Sequence, residues 1–311
     1  VVEAGRVFHV VAGRDVSAVG SQIEAKRDVN VGGVRNVNLA AAANEQHSAY
    51  NSKKVKRIED HVSQVSTVLK AGGNLTLNAG EDLLLLASNV SAGNEAYLVA
   101  GKNLALKAAE DQDYSFYSKT KKSSSGKKFR LDETDTINNV GSTVSSGGNS
   151  TLVAGENLLL AGSTVAADKG AATLAAGKDV QILAVTDAES ARRERKESKS
   201  SWGGLKSSKV QDKVDEQRTL AVGSMVSGET VNVVAGQDAK VTGSALVSTG
   251  DLAVQAGRDL TIDAAQNTFS RTDMHKEKNR DLTGVLTGNK LGLDDLTGNQ
   301  HLSISSSKHN G

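Results

Sequence analysis

The chain has 311 residues, with 37 Lys and Arg against 36 Asp and Glu, so its net charge of +1 gives no global attraction for nucleic acid and leaves electrostatic partners to local patches. It has no cysteine, which excludes disulfides, thiolate metal sites and cysteine nucleophiles, and no proline, which suits continuous strands because proline removes a ladder donor. No run of about 18 apolar residues is present to span a membrane as a helix, and the opening Val1-Val2-Glu3-Ala4-Gly5 is no signal peptide but starts inside a repeat without an initiator Met, as an excised piece would.

In chain order, a short unit recurs: apolar, any, small, Gly, any, Asp or Asn, apolar, any, apolar. It first reads Ala12-Gly13-Arg14-Asp15, then in degenerate form Gly33-Val34-Arg35-Asn36. An insert at about 40–64 follows, then Ala79-Gly80-Glu81-Asp82 and Ala100-Gly101-Lys102-Asn103. A second insert, 107–140, precedes Ala154-Gly155-Glu156-Asn157 and Ala176-Gly177-Lys178-Asp179. A third, 184–222, precedes Ala235-Gly236-Gln237-Asp238 and Ala256-Gly257-Arg258-Asp259. Residues 264–311 read as the start of a fourth insert or a poorly ordered tail, with no clear return to the repeat.

The glycine column therefore recurs at gaps of 21, 46, 21, 54, 22, 59 and 21 residues: a basic coil alternates with a lengthened one. Apolar residues flank it at fixed offsets, such as Leu77, Leu98 and Leu152 before it and Leu83, Leu104 and Leu158 after it. Spacing by two within each flank is strand periodicity with one buried face. Gly is expected to supply a corner conformation barred to other residues, and the Asp or Asn to bond its own turn backbone. The corner column is thus Gly13, Asp15, Asn36, Gly80, Asp82, Gly101, Asn103, Gly155, Asn157, Gly177, Asp179, Gly236, Asp238, Gly257 and Asp259.

A second column, Gly20-Ser21, Ala87-Ser88, Gly162-Ser163 and Gly243-Ser244, closes the short coils. It returns late in the long ones, at Val65-Ser66, Gly141-Ser142 and Gly223-Ser224, so the inserts leave from one corner. A lone coil cannot bury its apolar stripe but a stack can, which predicts an all-β parallel solenoid over 1–263, a rod of roughly 40 Å at about 4.8 Å per coil.

The inserts differ in composition. They hold Tyr50, Tyr114, Phe116, Tyr117, Phe129, Trp202 and Phe269, against only Phe8 and Tyr97 in the coils. Their midpoints are basic and Ser/Gly-rich, and a segment tied at both ends to adjacent coils must go out and come back, which predicts β-hairpins with turns at those midpoints. Such a ribbon is polar on both faces and marginal alone, so pairing between neighbouring inserts is expected. Lys121, Lys122, Lys127, Lys128, Phe129, Lys199, Trp202 and Lys206 are the candidate contact tips, suited to anionic glycans, lipopolysaccharide or phosphate.

The Ala-Gly-x-Asp/Asn coils, the Gly-Ser return and the Ser/Lys-rich inserts resemble the haemagglutinin repeats of filamentous haemagglutinin-like exoproteins. That family comprises large two-partner-secreted adhesins and contact-dependent growth inhibition effectors of Gram-negative bacteria. The resemblance covers almost the whole chain. It implies a right-handed β-helix, export through an outer-membrane transporter partner, and a secreted or cell-surface location. The long inserts favour the repeat region that assists toxin delivery across a target cell's outer membrane, with the shaft of a host-binding adhesin as the alternative. Partners so implied are the transporter, and a target outer membrane, surface receptor or anionic glycan, met by a monomeric rod.

Catalytic chemistry is not expected. His9, His47, His61, His275, His301 and His309 are scattered; only Asp273 and Glu277 beside His275 hint at ligands, in what reads as a solvated charge run. An acid that recurs in every coil has a turn role, whereas glycosidic chemistry needs one carboxylate pair. No calcium-binding Gly-Gly-x-Gly-x-Asp nonapeptide and no phosphate-loop signature occurs. No metal, cofactor or catalytic residue is therefore assigned.

Overall fold

The computed structural model describes residues 1–201, 205–282 and 299–310, and every regular element in them is a β-strand. Each coil contributes three short strands, in the first coil Val2–Ala4, Phe8–Ala12 and Val16–Val19. Equivalent strands of successive coils pair in parallel, giving three eight-stranded sheets that enclose one core. The rungs follow the sequence register: Leu83 lies opposite Leu104, Leu104 opposite Leu158, and Leu158 opposite Val180. Leu75, Leu77, Leu85, Leu106, Leu152 and Leu160 are fully buried, and each such side chain is worth about 1.5–3 kcal/mol of burial. In the last coil Leu252, Leu260 and Ile262 stand 51%, 48% and 68% exposed, as rungs with no described residue above them.

The inserts leave between the third and first strands of a coil. They form the hairpins Ala42–Asn51 with Val55–Val65, Ala109–Ser123 with Gly126–Val140, and Val185–Ser201 with Lys206–Val222. Beyond Asp263 the chain runs into Thr268–Asp281 and Asn299–Asn310, paired antiparallel in the same way. The four hairpins also pair with one another, in chain order, as one eight-stranded antiparallel sheet. This fin stands off the rod along its length, and 15-residue arms reach about 50 Å at ~3.3 Å per residue.

The corner column carries a different physics from the one its composition suggests. Its glycines do not adopt left-handed backbone; the positive φ values belong to Gly20, Gly162, Gly243 and Ala87 of the short-coil closing column. Gly80, Gly101, Gly155, Gly177, Gly236 and Gly257 are required because a Cβ would lie under 3.0 Å from the corner carbonyl oxygen of the preceding coil. Asp and Asn of that column bond across coils, not within their own turn: Asn36 Nδ2 donates to Asp15 Oδ1 at 3.0 Å, Asn103 Nδ2 to Asp82 Oδ1 at 2.9 Å and Asn157 Nδ2 to Asn103 Oδ1 at 3.0 Å. The Asp238 N–H donates to Asp179 and the Asp259 N–H to Asp238. A further glycine column eight residues upstream, Gly72, Gly93 and Gly147, is excluded from bearing a Cβ for the same reason.

The closing column is a hydroxyl ladder inside the corner from which the hairpins emerge. Ser88 N–H donates to Ser142 Oγ at 3.1 Å, Ser142 N–H to Ser163 Oγ at 3.2 Å, Ser163 N–H to Ser224 Oγ and Ser224 N–H to Ser244 Oγ, both at 3.1 Å. In the first long coil the member is Thr67, not Ser66, because Val68 pairs with Gln22 and Asn89. Each long-coil hydroxyl also reaches the carbonyl where its hairpin departs: Thr67 to Ala40 at 2.6 Å, Ser142 to Lys107 at 2.9 Å and Ser224 to Leu183 at 2.8 Å. The base of each of these hairpins is thus closed by a partly buried hydrogen bond.

Gly155→Ala is expected to lower unfolding free energy by about 1–3 kcal/mol through overpacking between coils. Gly13→Ala, which meets nothing within 4 Å, leaves it unchanged, and Leu106→Ala costs about 2–5 kcal/mol. Urea unfolding of the three variants checks the order.

Candidate interaction surface

Within each fin strand, successive side chains alternate faces, and directly paired residues share one. The register therefore sorts the fin into a Phe129 face and an Arg130 face. Beside Phe129 run Thr120, Lys196, Gln211 and Lys276; beside Arg130 run Lys119, Arg195, Asp212 and His275.

The Phe129 face carries Ile58, Val62, Phe116, Leu131, Ile137 and Met274. Lys56 lies over the Phe116 ring at 5.3 Å and Lys196 over Phe129 at 5.4 Å, contacts that hold amphipathic stems on aromatic faces. Glu194, only 6% exposed, accepts from Gln211 Nε2 at 2.6 Å and pairs with Lys196 at 2.8 Å. The Tyr114 hydroxyl donates to Glu133 at 3.0 Å, and partial burial, reinforced by that carboxylate, pushes its phenol up to about 12.

The Arg130 face is laced with ion pairs, several crossing from one hairpin to the next. His61 meets Asp113 at 2.5 Å, Lys128 meets Glu197 at 3.1 Å, Arg271 meets Glu216 at 2.7 Å and His275 meets Asp212 at 2.6 Å. Arg130 also pairs with Asp132 and sits over Tyr117 at 6.0 Å. Exposed pairs of this kind are each worth about 0–1 kcal/mol, so they select partners more than they stabilise the fin. On the rod, hydrogen bonds from Arg35 and Arg258 hold the carboxyls of Asp15 and Asp238 below the usual range.

The sequence-selected tips do not form one patch. Lys121, Lys128 and Lys199 lie on the Arg130 face, where Glu197 binds both Lys128 and Lys199, at 3.1 and 2.9 Å, and is held below the usual carboxylate range by them. Lys206 shares that face and pairs with Asp281 at 3.0 Å. Lys122, Lys127 and Phe129 lie on the other face, and Trp202 falls outside the described residues. Composition alone missed Lys209, Lys276 and Lys278, which the register brings beside Lys122 and Lys127; their signal was the pairing of the third insert with the fourth. An open groove of about 590 Å³ is lined by Lys127, Phe129, Lys196, Lys209, Lys276 and Lys278 of the Phe129 face, with Glu197 also at its wall. The corner-column residues lie on the rod, apart from this surface, bonded to their counterparts above and below. Among the described residues no group of three or more His, Asp or Glu side chains is arranged to hold a metal.

The family model described as "Hemagglutinin repeat" matches residues 1–57, 48–132, 124–279 and 203–311. The chain is 31% identical over 303 residues to "tRNA nuclease CdiA" of Escherichia coli (strain STEC_O31), covering 92% of this chain and 9% of that protein. It is 31% identical over 282 residues to "16S rRNA endonuclease CdiA" of Enterobacter cloacae, covering 86% and 8%. It is 28% identical over 270 residues to "tRNA nuclease CdiA-2" of Burkholderia pseudomallei, covering 85% and 8%. The chain thus spans less than a tenth of the length of these relatives. No solved structure matches it.

Glu133→Gln is expected to bring the Tyr114 phenol back down from about 12, read as tyrosinate absorbance against a Tyr114→Phe control. Because the folded-state value is raised, the stabilisation is complete below the free-phenol pKa of about 10 and is lost as pH climbs from there through about 12.

Proposed function

The chain belongs to the hemagglutinin-repeat family, and from that membership we infer that it is the part of a contact-dependent growth inhibition exoprotein that engages the target cell's outer membrane and assists passage of a toxin carried elsewhere in the same protein. Such exoproteins are secreted and surface-exposed. On this reading the whole protein leaves its own cell through an outer-membrane two-partner secretion transporter. The nuclease activities in the relatives' names are those proteins' own, and this segment acts by contact rather than by catalysis.

The observation that carries the reading is the fin. A solenoid built only to space two ends apart needs coils of about 21 residues, and nothing in the ladder calls for long inserts on alternate coils. Here the chain commits strands as long as 17 residues to a sheet that adds no buried core. The expenditure makes sense where the fin meets something. Its distal end is basic, with Lys122 and Lys127 at the end of the second hairpin and Lys209 toward that of the third, and a juxtaposed anionic surface is the natural counterpart.

Deleting residues 115–130 and 190–210 is expected to abolish binding of the 311-residue chain to outer-membrane vesicles while the rod's cooperative unfolding persists. Undiminished vesicle binding would remove the proposed role.

A further inference from the structure

The two faces of the fin are unequal in a way that names a ligand. On the Phe129 face, Lys122, Lys127, Lys209 and Lys278 stand in one cross-strand row interrupted only by Ser198. Lys276 stands two residues nearer the rod on the same face. Among the described residues none of these five lysines shares an ion pair with a carboxylate, whereas on the opposite face Glu197 pairs with both Lys128 and Lys199. The row crosses five adjacent strands, about 19 Å at ~4.8 Å per strand. Like charges directly opposite one another in a sheet repel, and that repulsion is relieved when anionic oxygens sit among them.

The next two rows toward the rod carry apolar side chains among polar ones, with Thr120, Lys196, Gln211 and Lys276 in the first and Ser118, Glu194 and Lys213 in the second. Phe129 and Leu302 share one, and Leu131, Met274 and Ile304 share the other. Leu302 and Ile304 are 56% and 62% exposed. Unpaired cations at the outer rim, the exposed aliphatic side chains of Leu302 and Ile304 just inside it and a flat two-dimensional array fit a lipid headgroup boundary. A linear polyanion lying along the lysine row would leave Leu302 and Ile304 in water, which disfavours it.

We propose that the distal Phe129 face docks on phosphate-bearing lipid headgroups, with Lys122, Lys127, Lys209, Lys276 and Lys278 on the phosphates and Leu302 and Ile304 at the acyl boundary. This rests on the contact role inferred above and assigns its face and its ligand chemistry. The Arg130 face, where Glu197 ties down Lys128 and Lys199, points away from the lipid.

The test is cosedimentation of the 311-residue chain with phosphatidylcholine vesicles containing diphosphoryl lipid A, against the same vesicles with its dephosphorylated form. Replacing all five lysines by Gln is expected to weaken binding at least about 100-fold, since each Lys near an anionic surface contributes a substantial electrostatic share. Leu302→Ser with Ile304→Ser is expected to weaken it about 10-fold through lost apolar burial. Lys128→Gln with Lys199→Gln on the other face is expected to leave it unchanged, and circular dichroism of each variant reports folding. Equal binding to the dephosphorylated vesicles, or an equal loss from the Lys128 and Lys199 pair, would overturn the proposal. So would retention on soluble heparin without vesicle binding, which would assign the lysines to a polysaccharide. If tip deletion abolishes vesicle binding but the five-lysine variant binds normally, the face assignment fails and the contact role stands; if tip deletion changes nothing, both fail.

Discussion

One distance governs this molecule. A coil of the rod rises by one strand spacing, about 4.8 Å, and a hairpin occupies two, about 9.6 Å. Hairpins on every coil would need twice the width that the rod offers them. Hairpins on alternate coils match its rise, so four of them pair edge to edge in one antiparallel sheet while the coils pair in three parallel ones. The alternation of short and long coils in the sequence is the linear image of that equality.

The equality also divides the labour between the two bodies. The coils bury Leu, Val and Ala in rungs and supply the hydrophobic free energy. The fin is open to water on both faces and is held by backbone ladders, cross-strand ion pairs and the Thr67, Ser142 and Ser224 hydroxyls at its base. An isolated hairpin of this composition would be marginal; here loop closure is prepaid by the rod, which fixes both ends of an insert a set distance apart. The short-coil closing residues show how tight this junction is. A Cβ on Gly20 would strike Ala42, one on Gly162 would strike Val185 and one on Gly243 would strike Ala265, residues at the foot of the neighbouring insert. Left-handed backbone at these positions lets the short coil turn underneath.

The architecture was legible because a solenoid writes its contacts into the sequence at a fixed offset. Leu83 over Leu104 and Leu158 over Val180 follow from counting from the glycine column. What that column does was not legible. A turn glycine and a glycine forced by a carbonyl one coil below look alike in a sequence, because the colliding atom comes from 21 or more residues away. The Ser66 and Thr67 ambiguity has the same origin, since both are small and hydroxylated and only pairing with Gln22 separates them. The fin was readable as hairpins, but its faces were not. A one-residue slip exchanges them, so Lys127 and Lys128 are neighbours in the chain and opposites in space.

That separation is why composition understates the surface. Summed over the chain, positive and negative charges cancel to +1, and a field set by the sum would attract nothing in particular. The register breaks the cancellation. It delivers Glu197 to the face of Lys128 and Lys199, and Asp212 to the face of Arg130, leaving Lys122, Lys127, Lys209, Lys276 and Lys278 of the Phe129 face without an ion-paired acid among the described residues. A polar sheet with no interior thereby acquires an outside and an inside, and the asymmetry needs no buried residue to sustain it. It needs only that each hairpin enter the fin at the height its coil dictates, so the precision of the apolar ladder is transmitted to a surface that shares none of its chemistry.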